Sequence, residues 1–176
     1  MKIIHFSTQE RARPEGFTLI EVMVYLALFG LLIGGAVIAA YNVIESIGRN
    51  NTQATIQQEG NFLLAKINWT LSGISAVNQP LENTTSSQLL VAKTDLSIGA
   101  VDINIDPGTH TKMLITRSGL TSDLNNDNVD VSGLVFDHQH PIGGAEWVTS
   151  NFTLTAKTPN GQSISRDFTT TKYLRQ

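Results

Sequence analysis

Residues Val22–Tyr41 read VMVYLALFGLLIGGAVIAAY, 20 positions without one charged side chain. As a helix rising 1.5 Å per residue, such a run spans about 30 Å, the depth of a bilayer's hydrocarbon core. Core helices of soluble domains are usually shorter, or polar along one face. This run is neither, and it predicts a membrane-spanning helix. The composition agrees, because the 176-residue chain is 41% hydrophobic but only 15% charged, against roughly 25% charged in an average soluble domain.

Toward the N-terminus lies MKIIHFSTQERARPEG, with Lys2, Arg11 and Arg13 set against Glu10 and Glu15. Excess Lys and Arg beside a spanning segment keeps that end in the cytoplasm. A cleaved secretory signal would show an apolar stretch of about 7–15 residues with small residues after it. The present run is too long, and its one small cluster, Gly34-Gly35-Ala36, lies inside it. One position sits badly with lipid: Glu21, directly ahead of the apolar run. An acid within a spanning helix costs about 2–3 kcal/mol near the bilayer centre and less near its edge. Glu21 therefore either reaches headgroups and water or awaits a cationic partner.

Gly16-Phe17-Thr18-Leu19-Ile20-Glu21, between a short basic leader and some 20 apolar residues, resembles the cleavage and assembly motif of type IV pilins and of type II secretion pseudopilins. The likeness is strong over about residues 1–75. It implies that a membrane-embedded prepilin peptidase cuts between Gly16 and Phe17 and N-methylates the new terminus, Phe17. It also implies that Glu21, fifth in the processed chain, pairs with the N-terminal amine of a neighbouring subunit. Two charges that are costly in apolar surroundings become tolerable once paired, and the pairing sets axial register. The implied partners are other pilin or pseudopilin subunits, the peptidase, an inner-membrane assembly platform and membrane lipid. The implied location is the bacterial inner membrane, crossed once with the C-terminal domain outside the cytoplasm, and then a periplasmic or extracellular filament.

Beyond the membrane, Ile56, Gly60, Leu63, Ile67, Leu71 and Ile74 recur at steps of three and four, with no Pro before Pro80. That is one face of an amphipathic helix laid on a domain, with Arg49-Asn50-Asn51 as its weakest stretch, the place for a kink or local melting. Strand patterns follow. Val101, Ile103 and Ile105 alternate with polar residues up to the turn Asp106-Pro107-Gly108. Val129 and Val131 give way to Leu134 and Phe136 in the opposite phase, which predicts a bulge near Ser132-Gly133. Phe152, Leu154 and Ala156 lead to the turn Pro159-Asn160-Gly161, and Ile164 and Phe168 return. The expected fold class is α+β: a long N-terminal helix, half membrane-spanning and half amphipathic, packed on a small antiparallel β-sheet domain. The expected segments are a cleaved leader at 1–16, an assembly helix at 17–41, an amphipathic helix at 42–78 and a sheet domain at 79–176. The segments 61–71 and 129–136 look most similar to minor members of the family, the J-type pseudopilins and W-type minor pilins, though much more loosely.

Signals for other chemistry are weaker. Asp123, Asn125, Asp127 and Asp130 place oxygens much as the first half of a calcium loop does. Such loops carry Gly at the sixth position and an acid at the twelfth, where this chain has Asn128 and Leu134. A calcium site and a plain Asn/Asp-rich turn both fit, so calcium is the one cofactor to test. His138 and His140 would share a face of a strand and could bind a metal jointly, but no third ligand has obvious spacing and Pro141 follows at once, so a solvated loop is the expectation. Gly73-Ile74-Ser75-Ala76 begins like a nucleophile elbow, but Val77 replaces the second Gly. The absence of Cys removes thiolate sites, and a net charge of −3 argues against direct nucleic-acid binding. The expectation is a structural subunit, not an enzyme, serving secretion, adhesion or DNA uptake. The alternative is a membrane-anchored exported binding module, calcium-dependent or not, that never polymerises.

Overall fold

A computed structural model describes residues 16–95 and 97–174. The basic leader, with Lys2, Arg11 and Arg13, lies outside them. The chain divides between Ile44 and Glu45 into two units. The described part of the first unit is residues 16–18 and the start of helix α1 (Leu19–Thr70, 52 residues). Every residue from Val22 to Ile44 is exposed, and no part of the most apolar window of α1 is buried. By length and composition α1 can cross a membrane.

The second unit packs the remainder of α1 against two antiparallel sheets. Its strands are β1 (Ile74–Gln79), β2 (Thr84–Ser86), β3 (Leu89–Lys93), β4 (Ala100–Ile105), β5 (Met113–Arg117), β6 (Leu120–Asp123), β7 (Val129–Gln139), β8 (Trp147–Lys157) and β9 (Ser163–Tyr173). One sheet has the order β1-β3-β4-β5-β6 and the other β2-β7-β8-β9. On α1, Ile56, Gly60, Leu63, Ile67 and Thr70 are buried, which is the stripe expected of a helix with one side on a core. From the sheets come Leu89, Val91, Val101, Ile103, Met113, Val129, Val131, Phe136, Val148, Phe152 and Leu154. The fold is α+β as expected, with two sheets where the strand pattern suggested one.

The change of phase on β7 has its predicted cause. Ser132 pairs with Thr153, yet Val135 pairs with Asn151, so β7 carries one residue more than β8 in that interval. Gly133 takes it up at φ 62°, a left-handed conformation open to glycine. Val131 and Leu134 both reach the core as a result. At the Asp106 turn the carboxylate accepts hydrogen bonds from the Gly108 amide (3.2 Å), the Thr109 amide (3.0 Å) and the Thr109 hydroxyl (2.8 Å). These bonds, the hydroxyl's foremost, hold that carboxyl below the usual aspartate range.

Two expectations about the helix are corrected. Helical structure is unbroken through Arg49-Asn50-Asn51; just beyond, the Thr52 and Thr55 hydroxyls donate to the Gly48 and Asn51 carbonyls, both at 3.0 Å. The helix also stops at Thr70 instead of 78. Gly73 turns the chain at φ 60°, and Ile74–Gln79 pair with β3, so long-range pairing prevails over local continuity. The helix end is closed by Lys93. Its Nζ donates to the carbonyls of Trp69 (2.7 Å) and Ser72 (2.6 Å) and lies 4.5 Å from the Trp69 ring centroid. A cation at a helix C-terminus satisfies carbonyls that have no partner within the helix. Burial meanwhile pushes the Lys93 ammonium below the ordinary lysine pKa. Lys93→Met keeps the stem and removes the donors. The expected loss is about 2 kcal/mol, read as a lower urea midpoint at unchanged m-value.

Gly60 sets the approach of helix to sheet. A Cβ there would fall within 2.2 Å of two atoms of the Phe168 ring. That ring stacks on Phe152, with centroids 5.5 Å apart and planes at 14°. Phe152 and Phe168 are register partners on β8 and β9, so one glycine lets the helix seat directly on an aromatic pair.

Candidate functional site

The start of α1 is built by Thr18. Its hydroxyl accepts the Glu21 amide at 3.3 Å and its carbonyl accepts the Val22 amide at 3.2 Å. Thr18-x-x-Glu21 has the composition of a capping box, and Thr18 performs the N-cap half of it. The Glu21 carboxylate instead accepts a hydrogen bond from the Tyr25 hydroxyl at 3.0 Å, one turn on. Tyr25 also meets Phe17 edge to face, with ring centroids 6.3 Å apart and planes at 73°. Glu21 is the one residue between Gly16 and Ile44 that is half-buried, where all the others are exposed. A carboxylate in the first helical turn is favoured by the helix dipole, and Tyr25 fixes its rotamer. The spacing Glu21-x-x-x-Tyr25 was there in the sequence; the aromatic was hidden among its apolar neighbours.

Gly16 is informative by contrast. A Cβ there would meet nothing within 4 Å, so the fold makes no demand for glycine. Phe17 is 73% exposed, and both residues precede the helix. The Gly16–Phe17 bond thus stands in exposed, non-helical chain.

The Asp123–Asp130 segment is organised around Asn125, which is 4% exposed. Its Oδ1 accepts the Met113 amide at 2.7 Å, and its Nδ2 donates to the carbonyls of Val129 (2.6 Å), Thr111 (3.2 Å) and Asn126 (3.4 Å). Asp127 Oδ1 lies 2.7 Å from Lys112 Nζ, which holds its carboxyl below the usual range through the hydrogen bond and the charge. Asp123 ends β6, and Asp130 is exposed on β7. Glu59 of α1 accepts the Asn126 amide at 2.8 Å, tying the segment to the helix.

His138 is 1% exposed and held at both ring nitrogens, Nδ1 by the Pro80 carbonyl at 2.9 Å and Nε2 by Glu146 Oε1 at 2.7 Å. His140 Nδ1 lies 3.3 Å from Glu82 Oε1, and its amide donates to Asn83 Oδ1 at 3.2 Å. The two histidines pin the β1–β2 connection to the β7–β8 hairpin. No group of three or more potential metal ligands forms among the described residues. Ser75 is the second residue of β1, just after the helix, the reverse of a strand-to-helix elbow, and its hydroxyl donates to the Ala92 carbonyl at 3.3 Å.

Residues 11–37 match the prokaryotic N-terminal methylation motif. No curated protein and no solved structure matches the chain. The matched motif covers Gly16, Phe17, Thr18, Glu21 and Tyr25 together with most of the exposed apolar run. It is the motif of prepilin-type proteins, which implies processing by a prepilin peptidase, assembly with other pilin subunits, and a structural rather than a catalytic protein.

Proposed function

We infer that the chain is a minor pilin or pseudopilin, cut between Gly16 and Phe17, methylated at Phe17, and inserted into or placed at the tip of a type IV pilus-like filament. The observation that carries this reading is the exposed apolar part of α1, up to Ile44, with a single carboxylate, Glu21, set one turn from the cleavage point. Before assembly the apolar run anchors the chain in the inner membrane with the sheet unit outside the cytoplasm. In the filament the same surface packs against neighbouring helices, and Glu21 meets a neighbour's terminal amine. Gly16, free of any structural duty, is kept small for the peptidase.

Mass spectrometry of the exported chain tests this. The expected product has 160 residues and begins with N-methylated Phe17, and Gly16→Val is expected to leave the leader attached. An intact leader on the parent chain, in cells with active peptidase, would return the protein to the alternative of an exported binding module on a plain anchor.

For Asp123–Asp130 the geometry favours a pinned turn over a calcium loop. Asn125 Oδ1 already serves an amide, and Asp127 is neutralised by Lys112. Millimolar calcium is expected to leave the melting temperature unchanged, since an ion stabilises only a folded state that binds it. A rise abolished by Asp127→Ala would establish the calcium site instead.

A further inference from the structure

The sheet β1-β3-β4-β5-β6 ends at β6, four residues whose side chains are all exposed. Its outer edge faces no strand among the described residues. Such an edge offers backbone donors and acceptors that an added strand can satisfy. Beside it runs a groove of about 450 Å³, lined on the helix side by Lys66 and Trp69 and on the sheet side by Ile115, Arg117, Leu120 and Ser122. Arg117 pairs in register with Leu120, and Ile115 with Ser122, so all four sheet residues share the face that looks onto the groove. Leu120 is 76% exposed and Trp69 39%. The groove therefore combines uncovered apolar surface with two cations and no acid. Neither cation has a carboxylate partner among the described residues; Lys66 rests 5.4 Å from the Phe62 ring centroid.

We propose that this edge and groove bind an extended acidic segment of another protein, added to the sheet beside β6. Residues of an added strand alternate between faces, so every second side chain would enter the groove. The lining calls for an acid, an apolar residue and an acid at those positions, the apolar one covering Leu120, Ile115 and Trp69. The acids answer Lys66 and Arg117. A helix would leave the backbone of β6 unpaired. A second copy of this chain does not supply the pattern. Its acids four residues apart are Asp102 with Asp106 and Asp123 with Asp127, and between them stand Asn104 and Asn125.

The probe is a fluorescently labelled peptide, acetyl-Thr-Glu-Thr-Val-Thr-Glu-Thr-amide, titrated with the full chain in non-ionic detergent micelles and followed by anisotropy. Saturable binding is expected, with quenching or shift of Trp69 emission. Lys66→Glu combined with Arg117→Glu is expected to weaken it about tenfold or more, since truncating or reversing charges in a partly desolvated contact acts strongly. Replacing both Glu by Lys in the peptide is expected to abolish binding. So is N-methylation of alternate peptide amides, in whichever of the two sets faces β6. Both protein substitutions lie at the surface, and a thermal melt checks that the double variant stays folded. Leu120→Arg is the second variant, with the same expected loss. The proposal is overturned by no saturable binding, by equal binding of the Lys peptide, or by N-methylated peptides that bind undiminished. Concentration-dependent self-association of the chain that Leu120→Arg removes would overturn it in favour of a second copy.

Discussion

Glu21→Leu is expected to leave the chain inserted in the membrane and to remove it from filaments. Insertion is as good as in the parent or better, because an acid is lost from the edge of an apolar helix. The sheet unit from Glu45 onward keeps its stability, as Glu21 and its one side-chain partner, Tyr25, both lie in the other unit. In an assembled filament a neighbour's terminal amine would lose its counter-charge in apolar surroundings. Removing one partner of a buried pair costs about 3–5 kcal/mol, a shift of two to three orders of magnitude in a subunit equilibrium. The measurement is the amount of variant recovered with sheared filaments, normalised to its amount in the membrane. Tyr25→Phe separates orientation from the presence of the carboxyl group: it removes the hydrogen bond and keeps Glu21, and a far smaller loss is expected. Undiminished recovery of Glu21→Leu would mean that the carboxylate does not drive assembly, and would return weight to the plain anchor.

The second large effect lies at Gly60. In an exposed helix interior, Gly→Ala stabilises by about 1 kcal/mol through backbone entropy. Here the sign is expected to reverse, because the new Cβ would enter the Phe168 ring, and Phe152 stacked behind it leaves little room to retreat. Gly60→Val adds two methyl groups to the same clash. Overpacking of this kind costs up to about 3 kcal/mol, or roughly a 10 °C fall in melting temperature for a unit of this size. Phe168→Leu in the Gly60→Val background is expected to restore part of the loss, and a double-mutant cycle would measure the coupling. Additive effects would show that ring and glycine do not oppose one another. A Gly60→Ala variant more stable than the parent would refute the tight seat outright.

Local patterns in this chain were readable where one residue type decides the geometry. The apolar run is long enough for a helix that can cross a membrane, and the change of parity between Val131 and Leu134 demanded an extra residue that Gly133 could absorb. The steps Ile56, Gly60, Leu63 and Ile67 gave the buried face, though nothing in them revealed that Gly60 was small for the sake of Phe168, 108 positions away. Pairing was not readable. Ile74 continued the helical period and also suited a strand, and only contact with β3 and the cap from Lys93 decided between them. Alternation told which face of each strand is buried but not which sheet it joins, so two sheets were invisible. His138 looked like part of a solvated loop but is buried in β7, because its partners, Pro80 and Glu146, come from elsewhere in the chain. The bonds of Asn125 to Met113 and Thr111 were likewise out of sight, because they join residues more than ten positions apart.

The uncovered stretch from Val22 to Ile44 has a consequence for genetics. An exposed side chain with few intramolecular neighbours contributes little to monomer folding, so selection on it comes mainly from lipid and from other molecules. Substitutions before the junction at Ile44 and Glu45 should therefore score as silent in a screen for thermal inactivation, yet be heavily filtered in a screen for surface display. Core substitutions after it should fail both. Two libraries scored side by side would locate that junction without any structure, as the point where the phenotypes stop being separable.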